Sequence, residues 1–272
     1  MDKRIFFTFH ILVIILSVWL VSMEYFSVDR GILEVYTKES GFYELGSGLF
    51  LFSFGLFLLV KATKTSLVKI RYALFLIGFV FILGALEELS WGQHLLGYES
   101  IEFADKHNYQ HEMNFHNFIP AWFFGLTINL SFYIFFVFIP ILIYFYRSKI
   151  QMTKYAKYDF YLDYFPSLEL VLVFIFGFTL QKYFILDTAT DTIALVIALG
   201  LLGLIAFKKR ELFFSLHLFL LVIITAFFML SHEVFSYQNL QYEVREFVFI
   251  YALIFWISNI VNSVTSSENK TK

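Results

Sequence analysis

The sequence predicts an all-α fold, a polytopic bundle of transmembrane helices with both termini on the cytoplasmic side. Three observations predict it. Hydrophobic residues make up 59% of the 272 and charged residues 15%, against about 45–50% and about 25% in soluble domains. Apolar runs near the roughly 20 residues needed to cross a bilayer recur along the chain. Lysine and arginine gather in alternate connections, the pattern of cytoplasmic loops.

Continuous apolar length predicts about eight spans, at 5–26, 44–62, 69–90, 119–146, 167–186, 191–207, 212–232 and 246–264. The first begins behind a basic start, as a signal peptide does. Its apolar core runs to about 20 residues where a signal peptide has about 7–15, and no small-x-small cleavage site follows. The fifth and sixth spans are separated only by a very short turn marked by Asp187 and Asp191, so a seven-span arrangement is the competing reading.

Loop charges support eight. Lys3 and Arg4 precede the first span, and Lys61, Lys64, Lys69 and Arg71 lie between the second and third. Arg147, Lys149, Lys154 and Lys157 lie between the fourth and fifth, Lys208, Lys209 and Arg210 between the sixth and seventh, and Lys270 and Lys272 end the chain. All five clusters fall on one side if there are eight spans, whereas loop 91–118 carries only Lys106. The chain reads as one integral membrane domain over 1–272, without a repeat or a soluble domain. Segment 147–166 mixes bases with tyrosine and phenylalanine. It reads either as an amphipathic stretch along the inner membrane surface or as an aromatic-anchored loop. Residues 27–43 read similarly on the outer side, and 265–272 as a polar, flexible tail.

A formal charge of −2 argues against a nucleic-acid surface, and the absence of cysteine removes disulfides, thiolate nucleophiles and cysteine-ligated zinc.

The non-basic polar chemistry concentrates at the outer face. The third span closes on Glu87, Glu88 and Ser90, and the 91–118 loop adds Trp91, Gln93, His94, His107, His111 and His116. Glu24, Lys182, His232, Glu233, Glu243, Arg245 and Glu246 reach the same side. Ionisable groups at a membrane face either mark where a helix meets water or line a wet functional cavity, and two adjacent acids backed by Ser, Gln and His favour the second. If the third span stays helical, Glu87, Ser90 and His94 share one face and Glu88 points about 100° away, toward Trp91.

The following loop has two incompatible readings. As a helix, His107 and His111 are i, i+4 neighbours, a spacing that can hold zinc. HEMNFH is one residue too long for the HExxH helix, so a metalloprotease mechanism is not supported. As an extended segment, Asn108, Gln110, Glu112, Asn114 and His116 all point one way at period two. His107 by itself reads equally well as a solvated loop residue. His10 and His217, each among apolar neighbours, read as packed, hydrogen-bonded core histidines.

Glu87, Glu88, Ser90, Trp91, Gly92 and Gln93, followed by Asn108, Gln110, Glu112, Asn114, His116 and Asn117, form a pattern E-E-x-S-W-G-Q … N-x-Q-x-E-x-N-x-H-N. It resembles a signature of uncharacterised multi-pass bacterial membrane proteins. The resemblance covers about thirty residues and implies a bacterial cytoplasmic-membrane protein. It carries no activity to transfer. This chain has His94 where such sequences often have arginine. Ser90–His94 and His107–His111 also reproduce two spacings of the zinc-dependent membrane hydrolases related to alkaline ceramidases and adiponectin receptors. In those proteins the histidine pair sits on a late span, not in the loop after the serine.

These residues point first to a membrane enzyme, a hydrolase or transferase acting on a lipid or lipid-linked substrate. Glu87 or Glu88 would be the general base or acid, with Ser90 and His116 completing the catalytic set. Trp91, Gln93, Gln110, Asn114 and Asn117 would bind substrate. Glu112 and His116, with His232 from a distant span, would hold a divalent metal such as zinc or form a second acid–base pair. Membrane lipids are the expected partners. The alternatives are a proton- or cation-coupled transporter or channel, and a structural subunit whose polar cap docks a partner.

Overall fold

The computed structural model describes residues 3–26, 35–36, 41–108, 112–115, 118–119, 121–180, 189–231 and 240–270. Gln110, His111, His116, Asn117, Lys182, Asp187, His232 and Glu233 lie outside the described residues, as do much of 27–43 and the side chain of Glu24.

Every regular element among the described residues is helical, so the chain is an all-α helical bundle. Eight apolar helices fall on the eight apolar runs. They are α1 (Lys3–Tyr25), α2 (Phe42–Thr63), α3 (Val68–Glu88), α4 (Ala121–Phe132, continuing through a π-helical Tyr133–Phe138 into Ile139–Gln151), α5 (Leu168–Thr179), α6 (Ala189–Lys209), α7 (Leu212–Ser231) and α8 (Leu240–Lys270). Six of them, α2, α3, α4, α6, α7 and α8, are long and apolar enough to cross a membrane; the described apolar stretches of α1 and α5 are shorter. Large apolar side chains stand exposed along these helices, among them Leu49, Leu76, Leu142, Leu204 and Phe219, as expected of surfaces that meet acyl chains rather than water.

The chain divides into two compact units, one of residues 1–124 and 238–272, the other of 125–237. In the first, α2 and α3 form an antiparallel hairpin. Its seam is built from small residues. Gly48, Gly55 and Ala62 recur every seven residues on α2, and Leu74, Gly78, Phe81 and Ala85 alternate at four and three on α3; all are buried. That is the heptad spacing of a coiled coil, with glycine letting the backbones approach as membrane helices often require. A Cβ added at Gly55 would stand 2.8 Å from the Gly78 carbonyl oxygen. Arg71 closes the turn, its Nε donating to the Thr65 carbonyl (3.1 Å) and its Nη2 to that of Ser66 (3.3 Å).

Helix α8 packs along α2, and α1 joins α8 through stacked Phe6 and Phe255 (ring centroids 3.7 Å apart) and a hydrogen bond between His10 Nδ1 and the Tyr251 hydroxyl (2.5 Å). His10 is fully buried, the packed, hydrogen-bonded histidine that its apolar neighbours predict.

In the second unit α5 is apolar on every face and buried from Leu170 to Thr179, the signature of a core helix. At 12 residues it is about 18 Å long, well short of a 30 Å hydrocarbon core. Ser167 caps it, its Oγ accepting from the Leu170 amide. Phe174 stacks on Phe136 and Phe178 on Tyr133, both partners in the π-helical stretch of α4. Helix α4 outlasts its apolar run by five residues, 147–151, because Arg147 turns back to clamp Asp159 (2.9 Å from both Nε and Nη2) and Asp163 (2.7 Å). The guanidinium holds the Asp159 carboxyl below its ordinary range, so the clamp outlasts acidification that would protonate a free aspartate. Segment 147–166 is therefore largely short helical turns, including Asp159–Leu162.

The seam makes a direct prediction. Gly55→Val drives a side chain into the Gly78 backbone and should cost about 1–3 kcal/mol in detergent-solubilised thermal unfolding. Gly84→Ala, whose new Cβ would meet only Leu51 at 3.7 Å, should stay within about 0.5 kcal/mol.

Candidate functional site

The site begins where α3 stops. Leu89 leaves helical geometry, and Ser90 (φ 45°), Trp91 (φ 56°) and Gly92 (φ 86°) are consecutive left-handed residues. Only the glycine adopts this region without cost; a non-glycine residue there costs of order 1–3 kcal/mol. Four interactions hold the turn. The Gly92 amide donates to the Leu89 carbonyl (2.8 Å), and the Tyr98 hydroxyl to the Trp91 carbonyl (3.0 Å). Trp91 Nε1 donates to Glu87 Oε1 (2.6 Å), and Ser90 Oγ to Glu112 Oε2 (2.8 Å).

The break changes where the sequence-predicted residues go. A continuous helix would align Glu87, Ser90 and His94 and turn Glu88 toward Trp91. Instead the indole folds back over Glu87, and Ser90 turns inward until it is 1% exposed. Glu112, 6% exposed, is the hub it meets. Glu112 Oε2 also accepts from Asn114 Nδ2 (2.5 Å), and Oε1 lies 3.2 Å from His94 Nε2. Asn114 Nδ2 is within 3.2 Å of Ser90 Oγ, and Asn108 Nδ2 donates to Asn114 Oδ1 (3.0 Å) and to its carbonyl (2.8 Å). Gln93 Oε1 accepts from the Met113 amide (2.9 Å), while its Nε2 donates to Ser100 Oγ (2.8 Å).

Where it is described up to Phe115, the loop after His107 is neither helical nor a regular extended strand, with bends at Glu112, Met113 and Phe115. Asn108, Glu112 and Asn114 are buried together while Phe115 is exposed. The short helix Glu102–His107 ends at His107, and Asn108 is extended (ψ 132°). Of the proposed metal ligands only Glu112 is described. Both its oxygens are engaged by protein groups, and no three His, Asp or Glu among the described residues are grouped to hold a metal ion. The described residues therefore do not form a metal site.

Glu87 and Glu88 part company. Glu87 Oε2 accepts from the Phe115 amide (2.6 Å), and its side chain lines an open, mainly apolar groove of about 480 Å³ with Leu83, Trp91, Phe115 and Ile119. Glu88 faces the other way, into the electrostatic field of Glu44 at the start of α2 and of Glu246 on α8, with Ser47 beside it. Glu243 shares the field of Glu88, Glu246, Glu44 and Glu112. Sequence reading missed Glu44 and Ser47. The signal was a lone acid in the first turn of an apolar helix. Near this quartet, the buried amide atoms of Gln241 and the buried Arg245 Nε make no hydrogen bond among the described residues.

The second unit has its own polar contact, also missed. Asn129 Nδ2 donates to Asp191 Oδ2 (2.8 Å) and the Tyr133 hydroxyl to the Asp191 carbonyl (3.2 Å), all buried. Asn129 is the signal, an amide inside an otherwise apolar run.

No protein-family model, curated protein or solved structure matches this chain. The functional reading therefore rests on the geometry above.

Because Glu112 satisfies buried donors on Ser90 and Asn114, Glu112→Ala should destabilise the protein by about 3 kcal/mol, the sum of stranded polar groups at about 1–3 kcal/mol each. His94→Ala should cost less, since that side chain is 21% exposed and water can replace its partner. Thermal unfolding of the two variants in detergent gives the comparison.

Proposed function

We propose that this protein is an integral-membrane hydrolase or transferase acting on a lipid or lipid-linked substrate at the extracytoplasmic face of a bacterial cytoplasmic membrane. The same proposal includes eight spans with both termini cytoplasmic, supported by the loop charges, and kinship with proteins bearing the E-E-x-S-W-G-Q signature. One observation carries the enzymatic reading. A carboxylate, Glu87, is fixed by two donors and opens onto an apolar groove at the end of a helix long enough to span a membrane. Apolar pockets with a few convergent polar groups are the usual form of a small-molecule site.

In this reading Glu87 is the general base and then the general acid. It takes a proton from the attacking hydroxyl, of water in hydrolysis or of an acceptor in transfer, and returns it to the departing oxygen. Trp91 Nε1 and the Phe115 amide hold its two oxygens in place. Ser90 and Glu112, both buried, are positioning residues that fix the turn carrying Trp91. His116, Gln110, Asn117 and His232 remain candidates for the rest of the site.

A second reading, cation- or proton-coupled transport, is favoured by a different feature, the Glu44–Glu88–Glu243–Glu246 quartet beside the buried side chain of Gln241. The readings separate cleanly. The enzymatic reading expects an altered lipid profile in cells lacking the protein, restored by the wild type and by Glu88→Gln but not by Glu87→Gln. An unchanged profile, together with cation flux into proteoliposomes that Glu88→Gln abolishes, would replace it with transport.

A further inference from the structure

At one end of the second unit α4 and α6 finish and α5 and α7 begin. The chain there carries more bases than acids: Arg147, Lys149, Lys154, Lys157 and 208–210 against Asp159, Asp163, Glu169 and Glu211. The structure sorts them. Arg147 holds Asp159 and Asp163. Lys209 holds Glu169 (3.1 Å) and Glu211 (2.9 Å). Two bases thus engage all four acids, and the other lysines are left to aromatic faces. Lys149 stands 5.3 Å over the Tyr146 ring and Lys154 5.2 Å over Tyr155. Lys157 stands 4.9 Å over Tyr158 and Lys208 5.0 Å over Phe145. All four of these lysines are exposed, and among the described residues none pairs with a carboxylate.

A ring steadies one side of an ammonium and leaves its other side to an anion or to water. Between these pairs Met152, Phe160 and Tyr161 stand 80%, 61% and 58% exposed. So much apolar surface beside unneutralised charge marks an interaction surface. Its position names the partner. Helices α4, α6 and α7 are long enough to cross a membrane, and this surface lies at their ends, at headgroup level. Tyrosine rings settle at that boundary, and lysines beside them reach the phosphates. A zwitterionic headgroup brings its own cation, whereas an anionic one supplies the charge that this surface lacks. We propose that residues 146–158 and Lys208 form a binding surface for anionic phospholipid headgroups, of the phosphatidylglycerol class, which anchors the second unit in its leaflet. The surface is in a different unit from Glu87, so it stands whether or not that residue serves an enzyme, and in either orientation of the chain.

The chain has no cysteine, so Met152→Cys in the full-length protein gives a single labelling point on this surface. A bimane placed there, in phosphatidylcholine nanodiscs, is quenched by lipids brominated high on the acyl chain. Brominated phosphatidylglycerol should half-quench it at a mole fraction about fivefold below that needed by brominated phosphatidylcholine, the factor one lysine contributes near an anionic surface. K149Q/K154Q/K157Q/K208Q in the same background should remove the difference. Equal quenching by the two lipids, or a difference that survives the four substitutions, would overturn the proposal. So would the same preference at a bimane on Leu96→Cys in the first unit, which would make the effect one of overall charge. If the fourfold variant does not fold, K154Q/K157Q, both between α4 and α5, decides: a smaller preference supports the proposal and an unchanged one overturns it. Loss of the preference in millimolar inorganic phosphate at constant ionic strength would assign the surface to a free anion and overturn the lipid. Its persistence there supports the headgroup.

Discussion

The buried carboxylate of Glu112 is the constraint on which the polar end of the first unit depends. A carboxylate out of reach of water must be satisfied by protein donors or it is costly. Here the donors come from a segment that would otherwise have no reason to leave the helix. Ser90 can reach Glu112 only because α3 ends at Glu88 and the next residues turn left-handed. The same turn swings the Trp91 indole onto Glu87. The strain at Ser90 and Trp91, the burial of Glu112 and the pose of Glu87 are thus one arrangement seen from three residues. Backbone strain of this kind persists only where surrounding contacts over-determine it, and it recurs where a side chain has to be held in an unusual place.

The seam between α2 and α3 supplies the rigid base. Gly55 and Gly78 bring the two backbones together and Gly48 seats the Leu89 side chain, so the hairpin has little freedom to slide. The end of α3 is therefore fixed relative to the first turn of α2, and Glu44, Ser47 and Glu88 are held together while Glu87 faces outward. Two adjacent acids, 100° apart on a helix, are sent to two different environments. One meets a groove and the other a group of like charges drawn from two other helices. That division is the physical reason for giving them separate roles.

Much of this was legible in the sequence, and the remainder was hidden for identifiable reasons. Each apolar run carries a helix, and six of these helices are long and apolar enough to cross a membrane, because an apolar run in a bilayer must satisfy its backbone internally. Asn108, Glu112 and Asn114, three of the polar residues that stand out in the loop, share a buried cluster. The kink was not legible. Left-handed turns are signalled by glycine, and two of the three residues here are Ser90 and Trp91, stabilised by a partner some twenty positions away. The acidic quartet was only half visible. Glu243 and Glu246 stand out in a polar segment, but Glu44 gains its meaning from the seam that sets it beside Glu88. Asn129 and Asp191 meet through packing in the second unit that no local pattern encodes.

The claim that Ser90 and Glu112 act as one device is open to a double-mutant cycle. Ser90→Ala, Glu112→Gln and the double variant are unfolded thermally in detergent. If the left-handed turn is held by this pair, the two substitutions should be coupled by at least about 1 kcal/mol, with the second costing little once the first is made. Effects that add to within about 0.5 kcal/mol would mean that the turn forms without Glu112, and would contradict the account at its centre.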